Sequence, residues 1–189
     1  EKMRPSFVIA KIHRSKIDFN RPPQKAFDAS SPLAQKFYDF YHDQIKLFLR
    51  DNLRTFKFSI LFDIHGFERN KRPEGYRDVD IVIGTRNLRS ITDIPMKKAD
   101  FDKNLRGRLL RHLISLDIPM APSHPKRKEY VLTGGFTTKN YGHQGFIGSE
   151  AIQIEFSERI RIEDKKLRNR VINSLTGFIL DEYKSRFST

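Results

Sequence analysis

Two periods of apolar residues alternate along this chain. Short runs rich in β-branched and aromatic residues, each bounded by polar turns, read as strands: Ser6–Ile12 (SFVIAKI), Ser59–Asp63 (SILFD), Asp78–Thr85 (DVDIVIGT), Glu129–Gly135 (EYVLTGG) and Glu150–Phe156 (EAIQIEF). Between them lie segments of helical period. From Pro32 to about Leu53, Phe37, Phe40, Tyr41, Ile45, Phe48 and Leu49 recur three and four residues apart, and Ser31–Pro32 is a helix-start signature. A second helix is expected over Asp100–Leu116. A third runs from Glu163 to Phe187, with an apolar stripe through Leu167, Val171, Leu175, Phe178 and Ile179.

Strands alternating with helices predict an α/β fold whose sheet is covered on both faces. Connections of helix length favour parallel neighbours, and short polar ones such as Arg69–Asp78 allow a reversal. The expectation is a single domain over residues 1–189 with a mixed, mainly parallel sheet. Composition fits: 38% of the residues are hydrophobic, and 16 Phe supply core bulk in the absence of Trp. With no Cys, disulfide frameworks and thiolate metal sites are excluded, which weakly favours a cytoplasmic setting. No apolar run reaches the roughly 18–20 residues of a membrane span, and no signal-peptide pattern opens the chain. The first strand begins almost at once, as expected of a chain that starts late in a longer precursor.

The net charge of +13 favours polyanions, anionic membranes or acidic small substrates. Its basic residues are dispersed, at Arg69–Arg72, Lys97–Lys98, Lys126–Lys128 and Lys165–Arg170. Aromatic and basic residues do not interleave as in a stacking platform. Attraction of an anionic substrate is therefore the expected use of the charge, with a nucleic-acid partner the less favoured alternative.

Reactive side chains gather at four places. Asn20 and Arg21 leave an extended segment before Pro22, and an arginine fork grips a carboxylate bidentately. In FDIHG, Asp63 and His65 lie two residues apart at a strand end and so point the same way. That pair reads either as a metal-binding His oriented by an acid, or as a turn with a capping Asp and a surface His. The glycine-rich GGFTTKNYGHQG offers Thr137, Thr138, Tyr141 and His143. In AIQIEF the alternation puts Ile152 and Ile154 on one face and Gln153 and Glu155 on the other. Glu155 is either a base poised by burial or a solvent-facing strand residue.

In order, IDFNRP, LFDIHG, IVIGT, GGFTTKNYG and IQIEF resemble the N-formylglutamate amidohydrolases and their relatives over roughly Val8–Phe156. The resemblance implies a zinc-carboxypeptidase-like fold and a zinc-dependent hydrolase. Its substrate would carry an amide bond in an anionic N-acyl amino acid or a peptide. By that likeness Asn20 and Arg21 hold the substrate carboxylate, with Thr137 beside them. His65 ligates zinc, Glu155 activates the metal-bound water, and Tyr141 closes over the substrate. Two departures stand out. Asn140 occupies the place of a family histidine, with His143 nearby. No histidine-bearing strand precedes Ser6, so the family's first metal-binding motif is missing. A catalytic zinc needs three protein ligands and an open position. His13 is then either a further ligand or a hydrogen-bond partner of Asp63 or Asp18. The alternative to an enzyme is a pseudoenzyme that keeps the carboxylate pocket without the chemistry.

Overall fold

The apolar alternation of two strands, Ser59–Gly66 (β1) and Ser149–Phe156 (β4), sets the centre of the fold. In the computed structural model, which describes residues 5–72, 78–92, 97–130 and 132–187, they pair in parallel, Ser59 opposite Ser149 through Gly66 opposite Phe156. Ile81–Gly84 (β2) pairs antiparallel to β4, and Met120–Ala121 (β3) pairs parallel to β2, so the sheet order is β1-β4-β2-β3. The α/β class and the mixed, mostly parallel sheet follow the sequence pattern.

One face of the sheet is aliphatic. Ile81, Ile83, Ile152 and Ile154 form one buried cluster with Leu105, Leu109, Leu110 and Leu113 of Leu105–Ile114 (α3) and with Leu167, Val171 and Phe178 of Lys165–Phe187 (α5). At ~25 cal/mol per Å², burial of such side chains contributes about 1.5–3 kcal/mol each. The other face meets Pro32–Phe56 (α2) and the short helix Phe136–Tyr141 (α4). There Ile45, Leu49 and Tyr141 pack with Leu61 and Val8. The first turn of α2 is capped as the sequence indicates, since the Ser31 hydroxyl accepts from the Ala34 N–H. Lys57 ends the helix in the left-handed region, and its N–H donates to the Leu53 carbonyl. A four-residue helix, Pro23–Ala26 (α1), precedes α2.

Two expected strands are not in the sheet. Ser6–Ile12 joins no strand, although Val8 packs against the same cluster of Ile45, Leu49 and Tyr141 as Leu61 of β1. In the stretch 129–135, whose residue 131 lies outside the described residues, no strand forms. Glu129 is instead pulled inside by charge. It accepts from the backbone N–H groups of Thr85 and Asn87 at 2.8 Å each, from the Thr85 hydroxyl, and from Arg106 at 2.9 Å. Arg106 and Glu129 bury their side chains to 1% and 0% exposure. Arg106 also donates to the Pro125 carbonyl. The clamp fixes a turn in which Arg86, Asn87 and Leu88 all have positive φ, a conformation that costs non-glycine residues about 1–2 kcal/mol each. The second expected helix is also shorter than Asp100–Leu116, because Asn104 caps it by accepting from the Gly107 N–H.

Candidate functional site

Side chains at Asp63, His65, Gln153 and Glu155 share the sheet face opposite the aliphatic one. Strand alternation puts each pair on that face, and the register sets Asp63 against Gln153 and His65 against Glu155. A two-by-two polar array thus sits on the two adjacent strands of an otherwise apolar sheet. Burying such groups is costly unless each finds a partner.

The partners are visible. His65 Nε2 lies 2.8 Å from Asp63 Oδ1 and 3.3 Å from the Asn20 amide nitrogen. Both cannot be satisfied by one proton. The shorter contact to a carboxylate takes the Nε2–H, leaving the Asn20 amide to donate towards Gln153 Oε1 at 3.5 Å. Gln153 Oε1 also accepts from the Gly135 N–H at 2.6 Å, while its own Nε2 donates to Glu155 Oε1 at 2.5 Å. Asn20 Oδ1 accepts from the Thr137 N–H at 2.9 Å. The segment around Asn20 is thereby tied to the start of α4, and α4 to the centre of β4. A Cβ at Gly135 would run into the Asn20 amide, which is why this approach requires glycine.

Charge follows the same geometry. Burial alone would lower the His65 pKa, but the Asp63 hydrogen bond and charge, with Glu155 beyond, outweigh it and raise it. Burial raises the Glu155 pKa, partly offset by the Gln153 hydrogen bond and by His65 and Arg72. Arg72, 3.8 Å from Glu155 Oε2, stacks its guanidinium 3.5 Å above the centre of the Phe67 ring.

The other sequence candidates are placed as follows. Arg21 follows Asn20 but turns outward, 58% exposed and 3.5 Å from Asp18. Asn20 and Arg21 therefore do not point into one pocket. Thr137 is buried at the array through its backbone. Tyr141 faces α2. It is buried, and its hydroxyl lies 2.8 Å from His42 Nδ1 on α2 rather than over the array. His13 is exposed, and its Nδ1 lies 2.8 Å from the Ser15 hydroxyl, so it orients neither Asp63 nor Asp18. Asn140 donates to the Phe136 carbonyl within α4, and the His143 N–H donates to the Ser90 carbonyl.

The donor set bears on the zinc expectation. Among the described residues no three His, Asp or Glu side chains come together as a metal site. His65 carries its Nε2 proton towards Asp63, and Asp63 Oδ2 is a buried atom without a hydrogen-bond partner. Those two groups fall short of the three protein ligands a catalytic zinc requires. The described residues therefore do not by themselves fit the metal.

Sequence reasoning missed Gln153 as the hub and Arg72 as the partner of Glu155. Alternation in AIQIEF already put Gln153 beside Glu155. For Arg72, within a run of basic residues, no local signal existed.

Comparison with known proteins adds to the fold. The crystal structure of gene product Atu2144 from Agrobacterium tumefaciens is similar to this one over 93% of this chain and 68% of that chain, with 18% identity and a TM-score of 0.50. No family model matches the chain, and no curated protein matches it. At that identity the likeness speaks for the fold alone.

Proposed function

We propose that the polar array binds the carboxylate-bearing end of an anionic N-acyl amino acid or peptide, as a pseudoenzyme relative of the N-formylglutamate amidohydrolases. The observation that carries this reading is the closure of Asn20, on its own segment, onto His65 and Gln153 of the two adjacent strands. The His65 ring, whose proton affinity Asp63 raises, and the Asn20 amide supply polar groups there. The +13 net charge draws anions towards the protein.

A second reading, the zinc-dependent amide hydrolase, is favoured by Glu155. A carboxylate whose proton affinity burial raises, beside His65, is suited to proton transfer. In that case Glu155 accepts a proton from the attacking water and returns it to the leaving amine.

Calorimetric titration with N-acetylglutamate and with its fully amidated analogue tests the first reading, and a hydrolysis assay separates it from the second. Binding is expected for the acid, to be lost with the amide, and to weaken about tenfold or more in Asn20→Ala, in line with a charged hydrogen bond of roughly 1.5–3 kcal/mol. Equal binding of acid and amide refutes carboxylate recognition. Hydrolysis of N-acyl amino acids that falls about 10²–10⁴-fold in Glu155→Gln establishes the enzyme instead.

A further inference from the structure

The free edge of β1 carries features that the polar array does not use. Among the described residues β1 pairs with β4 alone, so the backbone groups on its other side have no ladder partner. Along that edge runs a groove of about 1150 Å³, lined by residues 59–64 of β1, by Ile45 and Leu49 of α2, and by Ile179 of α5. Asp63 and Thr137 also line it, so the groove reaches the array. Asp63 is 92% buried, since its side chain is 8% exposed, and its Oδ2 has no hydrogen-bond partner.

Each observation constrains the occupant. Ile45, Phe48 and Leu49 on the α2 side, and Ile179 beside Glu182 and Tyr183 on the α5 side, suit a segment with apolar residues on both of its faces, as in a strand between two helical layers. A hydrocarbon chain would satisfy those walls. It would leave the β1 edge amides and Asp63 Oδ2 buried without partners, at about 1–3 kcal/mol for each group. An extended peptide satisfies all three features, because its backbone continues the ladder and its N–H groups or ammonium can donate to Asp63. The chain's own residues 5–9 line the groove without filling it. Val8 packs against the Ile45, Leu49 and Tyr141 cluster, while Phe7 and Ile9 remain 77% and 64% exposed.

We propose that this groove takes an extended, apolar, amino-terminally cationic segment of another polypeptide, which adds to β1 as a further strand. Opposite residues 59–64 such a strand runs about 20 Å at roughly 3.3 Å per residue. The groove meets the array at Asp63, but the proposal does not require carboxylate binding there.

The test uses the full chain and a fluorescent valine- and threonine-rich octapeptide that begins with lysine. A twin with alternate amides N-methylated keeps the apolar side chains but cannot continue a ladder. The parent peptide is expected to bind, and the twin to bind at least about tenfold more weakly, the equivalent of one or two backbone hydrogen bonds. Amide hydrogen exchange at residues 59–64 should slow on binding, and Asp63→Asn should weaken the peptide about tenfold. Equal binding of the twin, displacement by palmitate, or no binding at all overturns the proposal. So does exchange at residues 59–64 that is already slow in the free chain and accelerates in Phe7→Asp, since the chain's own segment then holds the edge. N-acetylglutamate titrated in parallel keeps the two sites apart. If it binds where the peptide does not, the groove proposal alone fails. If the peptide binds where it does not, the carboxylate reading alone fails.

Discussion

Titration of His42 should make this fold measurably acid-sensitive. The ring is buried between α2 and α4, with Nδ1 2.8 Å from the Tyr141 hydroxyl and the rings of Tyr38 and Phe136 beside it. Burial, reinforced by Lys46, lowers its pKa from 6.5 to about 4, against opposing contributions from the Phe19 backbone and from Asp39 and Asp43. In the unfolded chain His42 protonates near 6.5. Between that value and about 4 the unfolded state therefore binds more protons than the folded one. Stability is fully present above the unfolded value and falls as the pH drops towards the folded one. A drop from about pH 7.5 to about pH 4.5 then costs about 2.5 kcal/mol from this residue. With a urea slope of roughly 1–3 kcal/mol per M, the unfolding midpoint moves by about 0.8–2.5 M. The assay is urea unfolding at both pH values for the wild type and for His42→Gln, which cannot titrate. Subtracting the variant removes other groups, including Glu155 and His65, whose raised pKa values act in the opposite direction. A wild-type loss no greater than the loss in His42→Gln would refute the burial argument.

Further predictions concern the supports around the array. Glu129→Ala should cost about 3–5 kcal/mol, because it strands a buried Arg106 and releases the Thr85–Leu88 turn. Replacing both partners, Arg106→Met with Glu129→Leu, should recover part of that loss, and chemical unfolding checks both. Gly135→Ala should displace Asn20, lowering stability by about 1–3 kcal/mol and weakening N-acetylglutamate at least tenfold in calorimetry. Arg21→Lys should change stability by under about 0.5 kcal/mol, because the side chain is exposed and pairs locally with Asp18. If its fork grips the ligand, carboxylate affinity falls in the same variant; a variant that instead unfolds marks Arg21 as structural.

The sequence alone determined what depends on neighbours a few residues away. Period-two alternation put Asp63 with His65 and Gln153 with Glu155. Helical spacing located α2 and α5, and the Ser31 cap fixed where α2 begins. Strand existence is less local. Ser6–Ile12 and the stretch 129–135 have the composition of strands, but a strand needs an edge to pair with. The first was left beside a free edge, and the second was drawn away by the burial of Glu129 against Arg106. The short β3 had no composition to mark it and exists because β2 offered a partner.

The same division runs through the site. That four polar residues form one array was decided by the β1–β4 register, a long-range choice; a slip of one residue would have separated them. Asn20 reached the array because the Thr137 N–H and the absence of a Cβ at Gly135 made room for its amide. Tyr141 was turned to His42 by helix packing that no local motif encodes. Side-chain direction along one strand is fixed by backbone geometry and can be read from sequence. Which strands meet, and which buried charges find each other, follows from the summed packing of distant segments, and that only the tertiary structure decided.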